Sequence, residues 1–210
     1  MKFFLRLSLL LILAFVVLFQ FSLLKNTFKI FTELKQFGLK RNKPYLYVSV
    51  PDQSLYLMEN FHILKKYPVS TAKAGIGNLK NSFKTPLGKH IIHSKHGKNA
   101  KYGELFKGKK NIGVTTQVYL DSTDIDIDFV TTRILVLKGL EPGKNHGGKV
   151  DSYERNIFIH GTPEEGLIGK PVSKGCIRMK NKDIIELFKI VDSGTILEIT
   201  DKTLKTNFIL

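Results

Sequence analysis

Two hydrophobic rhythms divide the chain. From residue 7 to residue 24 it reads LSLLLILAFVVLFQFSLL, eighteen positions without a charge. A helix of that length just crosses the hydrocarbon of a bilayer, and one that is apolar on all sides suits lipid better than the surface of a soluble domain. Lys2 and Arg6 precede the run and no small-x-small cleavage site follows it. The pattern therefore predicts a signal anchor over residues 1–24 rather than a removed peptide. Lys25, Lys29 and Lys35 follow the span, so basic residues alone do not set its orientation. The N-in arrangement, with the domain outside, is taken from the chemistry below. Residues 25–43 carry a short amphipathic helical pattern ending near Gly38, expected to form a juxtamembrane stalk.

From Pro44 the period changes from helical to alternating. YLYVSV, QSLYLME, ILKKYPVSTA, KHIIHSK, RILVLKGL, RNIFIH and TILEIT each read as strands, separated by Gly, Asn and Pro turns. HGKNAKYGELFKGKKN reads as a long polar insertion, DSTDIDID as an alternating strand with one acidic face, and GLEPGKNHGGKVDSYERN as a polar loop. One helix stands out. NKDIIELFKIV puts Ile184, Ile185, Leu187, Phe188 and Val191 on one face, with Asn181 placed to cap it and Gly194 to end it. The expectation is a mainly β domain over residues 44–201, a compact β-sandwich or barrel with one packed helix, followed by a tail over 202–210.

Charge narrows the partners. Thirty-three Lys and Arg face 18 Asp and Glu, a net charge of +15. Such a field favours polyanionic surroundings. The chain has no RNP-type motif, no finger spacing and no basic helical stripe, so no nucleic-acid partner is expected. His90, His93 and His96 alternate along one strand, which sends His93 to the face opposite the other two and argues against a metal cluster.

A single cysteine excludes an internal disulfide and leaves an inert core thiol or a reactive one. Cys176 follows Ser173, Lys174 and Gly175 and precedes Ile177 and Arg178. Gly175 permits a tight turn that aims a thiol outward and turns the N–H groups of Gly175 and Cys176 towards a developing oxyanion. Lys174 and Arg178 are expected to lower the thiol pKa. His160, sixteen residues upstream at a strand end beside Gly161, is the candidate base.

HGTPEEGLIGKPVSKGCIRM resembles the signature of the L,D-transpeptidase (YkuD-type) catalytic domain, a histidine–glycine–threonine segment followed by Ser-x-Gly-Cys-Ile/Val-Arg. PVSTA, the glycine loop and TPLG upstream are similar to that family's opening, so the resemblance runs over about residues 44–201. It implies Cys176 as nucleophile, His160 as base and the Gly161 carbonyl as the group orienting the imidazole. Ser173 and Gly175 would shape the oxyanion turn, and Arg178 and Lys174 would meet substrate. Position 174, often histidine in that family, is lysine here. The implied reaction needs no metal or organic cofactor. A peptidoglycan tetrapeptide stem acylates the cysteine, D-alanine leaves, and the thioester passes to a stem amine to give a 3–3 cross-link. Water as acceptor would make a carboxypeptidase, a lipoprotein lysine a linking enzyme, and loss of chemistry a wall-binding module. The implied setting is the periplasmic side of the inner membrane.

Overall fold

A computed structural model describes residues 19–20, 42–125 and 127–204. The expected anchor and stalk fall outside these except at residues 19–20 and 42–43, as does the tail beyond 204. Among the described residues no helix is long and apolar enough to cross a membrane. The chain divides into two compact units, Met1–Lys43 and Pro44–Leu210; the second carries the elements that follow.

Strands β1 (Tyr45–Ser49), β2 (Ser54–Glu59) and β3 (His62–Ser70) form an antiparallel meander. Gln53 ties its first turn to the end of β3. Its Nε2 donates to the Val50 carbonyl at 2.6 Å and to Thr71 Oγ1 at 2.7 Å, and its Oε1 accepts the Thr71 N–H at 2.8 Å. Then come β4 (Gly88–His96), β5 (Glu104–Lys107), β6 (Lys110–Thr115), β7 (Val130–Gly139), β8 (Phe158–Gly161), β9 (Ile177–Met179), helix α1 (Asn181–Ile190) and β10 (Ile196–Thr200). The sheet runs β4-β10-β1-β2-β3-β9-β8-β7-β5-β6, and an additional β4–β7 pairing closes its first eight strands on themselves. The result is mainly β and barrel-like, with β5–β6 as an appended hairpin.

The closed sheet has two apolar faces, and strand alternation sorts residues between them. On β7, Leu135 and Leu137 enter the main core while Ile134 and Val136 enter a second, smaller cluster. The main core also takes Ile184, Leu187, Phe188 and Val191 of α1 and its C-terminal end, the face the helical spacing predicts, with Ile185 only partly buried. Each fully buried aliphatic side chain there contributes about 1.5–3 kcal/mol.

Three expectations are corrected. The polar insertion contains the β5–β6 hairpin, whose polar sequence follows from β6 being exposed at all six positions. The described residues of DSTDIDID form a loop rather than a strand: the Asp121 carboxylate accepts from the Thr123 N–H and hydroxyl at 3.1 and 2.6 Å, bending the chain locally. A bulge in β4 between Ile92 and Ser94 breaks the alternation, so His96, opposite Ile134, lies across the sheet from His90.

His90 is fully buried. Its Nδ1–H donates to the Gly88 carbonyl at 2.9 Å, so Nε2 accepts from Ser152 Oγ at 2.9 Å. Burial pulls its pKa down to about 4, against the Gly88 carbonyl and Glu141, which raise it. The unfolded chain thus binds a proton near pH 6.5 that the folded chain refuses until about pH 4. Stability held above pH 6.5 is therefore lost as pH falls towards 4, by about 3 kcal/mol for this residue. Urea unfolding of wild type and His90→Gln at pH 7 and 4.5 should show a smaller acid loss in the variant.

Candidate active site

β8 and β9 lie side by side and parallel, with Ile159 opposite Ile177 and His160 opposite Arg178. Ile159, Ile177 and Met179 point into the main core. Alternation then sends Phe158, His160, Cys176 and Arg178 to the other face. Phe158 and Cys176 indeed join the second apolar cluster, beside Tyr153. Histidine and cysteine thus lie on one face of the sheet, His160 within β8 and Cys176 just before β9.

His160 is completely buried. Its Nδ1 lies 2.8 Å from the Gly161 carbonyl, which can only accept, so Nδ1 carries the hydrogen and Nε2 the lone pair. Nε2 is buried and has no hydrogen-bond partner among the described residues. Burial depresses the pKa of the ring; Asp128 and the Gly161 carbonyl pull it back, and Arg178 depresses it further. An imidazole held neutral with one free lone pair is a base in waiting.

Gly161 is glycine because its neighbours leave no room. A Cβ there would stand 2.5 Å from Asn181 Oδ1 and 2.8 Å from the Thr131 carbonyl. Asn181 is fixed in turn. Its Oδ1 accepts from Thr131 Oγ1 at 2.6 Å and Thr132 Oγ1 at 2.5 Å, while its Nδ2 donates to the Thr162 carbonyl at 2.7 Å and Glu165 Oε1 at 2.8 Å. The expected capping role of Asn181 is therefore wrong: Lys180 stands at the N-cap without a side-chain bond, and Asn181 faces the site. Gly161→Ala should cost about 1–3 kcal/mol by overpacking and move the carbonyl off the imidazole. Thermal unfolding measures the first effect and turnover by the folded fraction the second.

Cys176 is half-buried. Its sulfur accepts the Phe158 N–H and its S–H donates to the Asn156 carbonyl, both at 3.4 Å. Gly175 before it has φ +124, a left-handed-side conformation that needs glycine. Ser173 Oγ braces the turn by donating to the Cys176 carbonyl at 2.6 Å and accepting the Gly175 N–H at 3.2 Å. The Gly175 N–H is thus engaged within the turn, contrary to the expectation that it faces an oxyanion. The expected acidic thiol is also overturned. Burial, then the Asp128 carboxylate, push Cys176 up to about 12 against the Phe158 N–H, Arg178 and Arg155. The residue is part-open to solvent while its sulfur lies against apolar side chains, and that desolvation outweighs the cations.

Arg178, expected to hold the cysteine loop and meet substrate, is buried in an ion-pair cluster. It is 4 % exposed, its Nε donating to Asp128 Oδ1 at 2.8 Å and one terminal nitrogen to Glu164 Oε2 at 2.6 Å. Lys174 is exposed, and its backbone N–H donates to Asp128 Oδ2 at 2.9 Å. With Lys73, Ala74, Phe83 and Ser173 it lines an open groove of about 440 Å³ beside the cysteine turn. Asp128, Glu164 and Glu165 were not singled out as site residues by sequence reasoning, and Asn181 was read only as a helix cap. Adjacent carboxylates four and five residues after His160, in a glycine-rich segment, were the available signal of buried acceptors.

The L,D-transpeptidase catalytic domain family, YkuD, matches residues 43–199. The putative L,D-transpeptidase YkuD of Bacillus subtilis (strain 168) is 51% identical over 57 residues, 25% of this chain and 35% of that protein. The probable L,D-transpeptidase YcfS of Escherichia coli (strain K12) is 35% identical over 74 residues, 35% of this chain and 23% of that one. The matches thus span about a third or less of these curated relatives' own length. A solved L,D-transpeptidase from Mycobacterium smegmatis aligns with TM-score 0.45 and 15% identity over 75% of this chain and 58% of its own. With 157 consecutive residues, His160 and Cys176 among them, inside the family match, the chain belongs to the L,D-transpeptidase catalytic domain family.

Proposed function

We propose that the chain is a cysteine-dependent L,D-transpeptidase acting on peptidoglycan tetrapeptide stems. The observation that carries this reading is the free, buried Nε2 of His160 on the same sheet face as the half-buried Cys176. Cys176 Sγ attacks the carbonyl of the third stem residue as Nε2 takes the thiol proton. The imidazolium returns that proton to the nitrogen of the departing D-alanine, leaving a thioester. An amine of a neighbouring stem then attacks, Nε2 takes its proton, and the new amide forms as the thiol is regenerated. Splitting one amide exchange into two acyl transfers lowers each barrier.

With the Gly175 N–H engaged, the backbone N–H of Cys176 is the oxyanion donor in this reading, on a turn held by Ser173. The groove between Lys73 and Lys174 suits a stem peptide, which carries carboxylates. The uncharged run at residues 7–24 supports anchoring in the inner membrane, and the catalytic unit is assigned to the wall side because stems are found there.

The full chain in detergent, incubated with disaccharide tetrapeptide and analysed by mass spectrometry, tests the reaction. Cross-linked dimers with release of D-alanine are expected. Free tripeptide alone would make the chain a carboxypeptidase, and unchanged substrate would refute enzymatic action on this stem. Protease treatment of intact spheroplasts tests the placement, with digestion of residues 44–210 expected.

A further inference from the structure

We propose that Asp128 is a positioning residue for the His160–Cys176 pair: its carboxylate locks Arg178 and the amide of Lys174, and presents the negative charge that lets His160 carry the proton leaving Cys176. The inference rests on the acyl-transfer reading above and names a residue it does not use. Asp128 closes the segment DSTDIDID.

The geometry is a charge count. Arg178 lies between two carboxylates, Asp128 and Glu164, with side-chain exposures of 4, 17 and 1 %. One guanidinium against two carboxylates leaves a buried excess of one negative charge, which is unfavourable unless something compensates it. His160 is opposite Arg178 on the adjacent strand, and Asp128 is near enough for its charge to act on both His160 and Cys176. When His160 takes a proton the cluster becomes two positive and two negative charges. Burial alone would raise Asp128, but His160, Arg178 and the Lys174 N–H hold it below the usual carboxyl range, so it is ionised.

Among the described residues, the other neighbours do not duplicate this role. On β9, Arg178 opposes an imidazolium, and Cys176 just before that strand is a neutral thiol; β7 offers the apolar Ile134. The hairpin contributes Lys109, over the Phe158 ring at 5.9 Å, and the segment before β8 contributes Arg155, whose charge acts on Cys176. Both are cations and disfavour a charged imidazole. Glu164 reaches the pair only through Arg178, and Gly161 only through its carbonyl. Asp128 also disfavours a thiolate. It therefore adds to burial in keeping the cysteine protonated at rest, and supports the imidazolium formed as the sulfur bonds to carbon.

The test uses the full chain, whose single cysteine makes alkylation site-specific. The rate of iodoacetamide modification is followed by mass against pH for wild type, Asp128→Asn and Asp128→Glu. In Asp128→Asn the alkylation midpoint should fall by about one pH unit, roughly tenfold more thiolate at a fixed pH. The acid limb of stem turnover should move down as well, with kcat lowered at least about tenfold and KM changed less than about threefold. Asp128→Glu should keep the wild-type midpoint and regain part of kcat. A folded Asp128→Asn with an unmoved midpoint overturns the proposal; if it does not fold, Asp128→Ser is held to the same criterion. Because alkylation needs no stem, an unmoved midpoint and an inactive wild type are separate failures.

Discussion

Replacing Cys176 by alanine is expected to leave a folded protein with no acyl transfer, at least about a thousandfold below wild type. The fold should survive because the sulfur's only hydrogen bonds among the described residues are two long ones of 3.4 Å, and the turn is held by Ser173 and Gly175 rather than by the thiol. The chemistry should not survive, because among the described residues no second thiol or free hydroxyl is placed at the cysteine turn. Ser173 Oγ, the nearest hydroxyl in sequence, is buried and already donates to the Cys176 carbonyl. Two readouts check this on the full chain. Wild type incubated with a carbapenem, a strained acyl donor, should gain the drug's mass at its single cysteine, whereas Cys176→Ala should stay unmodified. Near-identical thermal unfolding of the two proteins should accompany that difference. Retained stem turnover by Cys176→Ala would remove the nucleophile assignment and the mechanism with it.

Much of this site was legible before any coordinates because it is built on strands. RNIFIH reads as a strand that ends on His160, and Gly175 marks the turn that presents Cys176; the short strand β9 after it was not read from the sequence. The helix after them was legible for the same reason, through its apolar face. What alternation does not encode is the partner across space. Asp128 and Arg178 are fifty residues apart, and Thr131, Glu165 and Asn181 meet only once the sheet closes. Net charge misled for a related reason. Lys174 and Arg178 flank Cys176 in sequence, yet Arg178 is balanced by two carboxylates, and the apolar contacts of the sulfur dominate its ionisation. The bulge in β4 shows the opposite limit, since one extra residue reverses every side chain beyond it.

His160→Gln is expected to lower acyl transfer by about a hundred- to ten-thousandfold near neutral pH. The size follows from the resting protonation state. With the thiol pushed up to about 12 and the imidazole pulled below its ordinary value, the pair at pH 7 is a neutral thiol and a neutral base. The sulfur then loses its proton during attack, and Nε2, with no other partner among the described residues, is the group placed to take it. Glutamine cannot. The pH dependence carries the sign. In wild type the acid limb reports imidazole protonation and should lie below about pH 6.5, since burial disfavours the cation. In His160→Gln the reactive species is whatever thiolate forms unaided, so its rate should rise about tenfold per pH unit through neutral and mildly alkaline pH while wild type stays flat. The deficit therefore narrows as pH rises. Carbapenem acylation rates from pH 6 to 9 measure it. A wild-type-to-variant ratio independent of pH would mean that the thiolate pre-exists, and the burial of the sulfur would then no longer account for the chemistry of this pair.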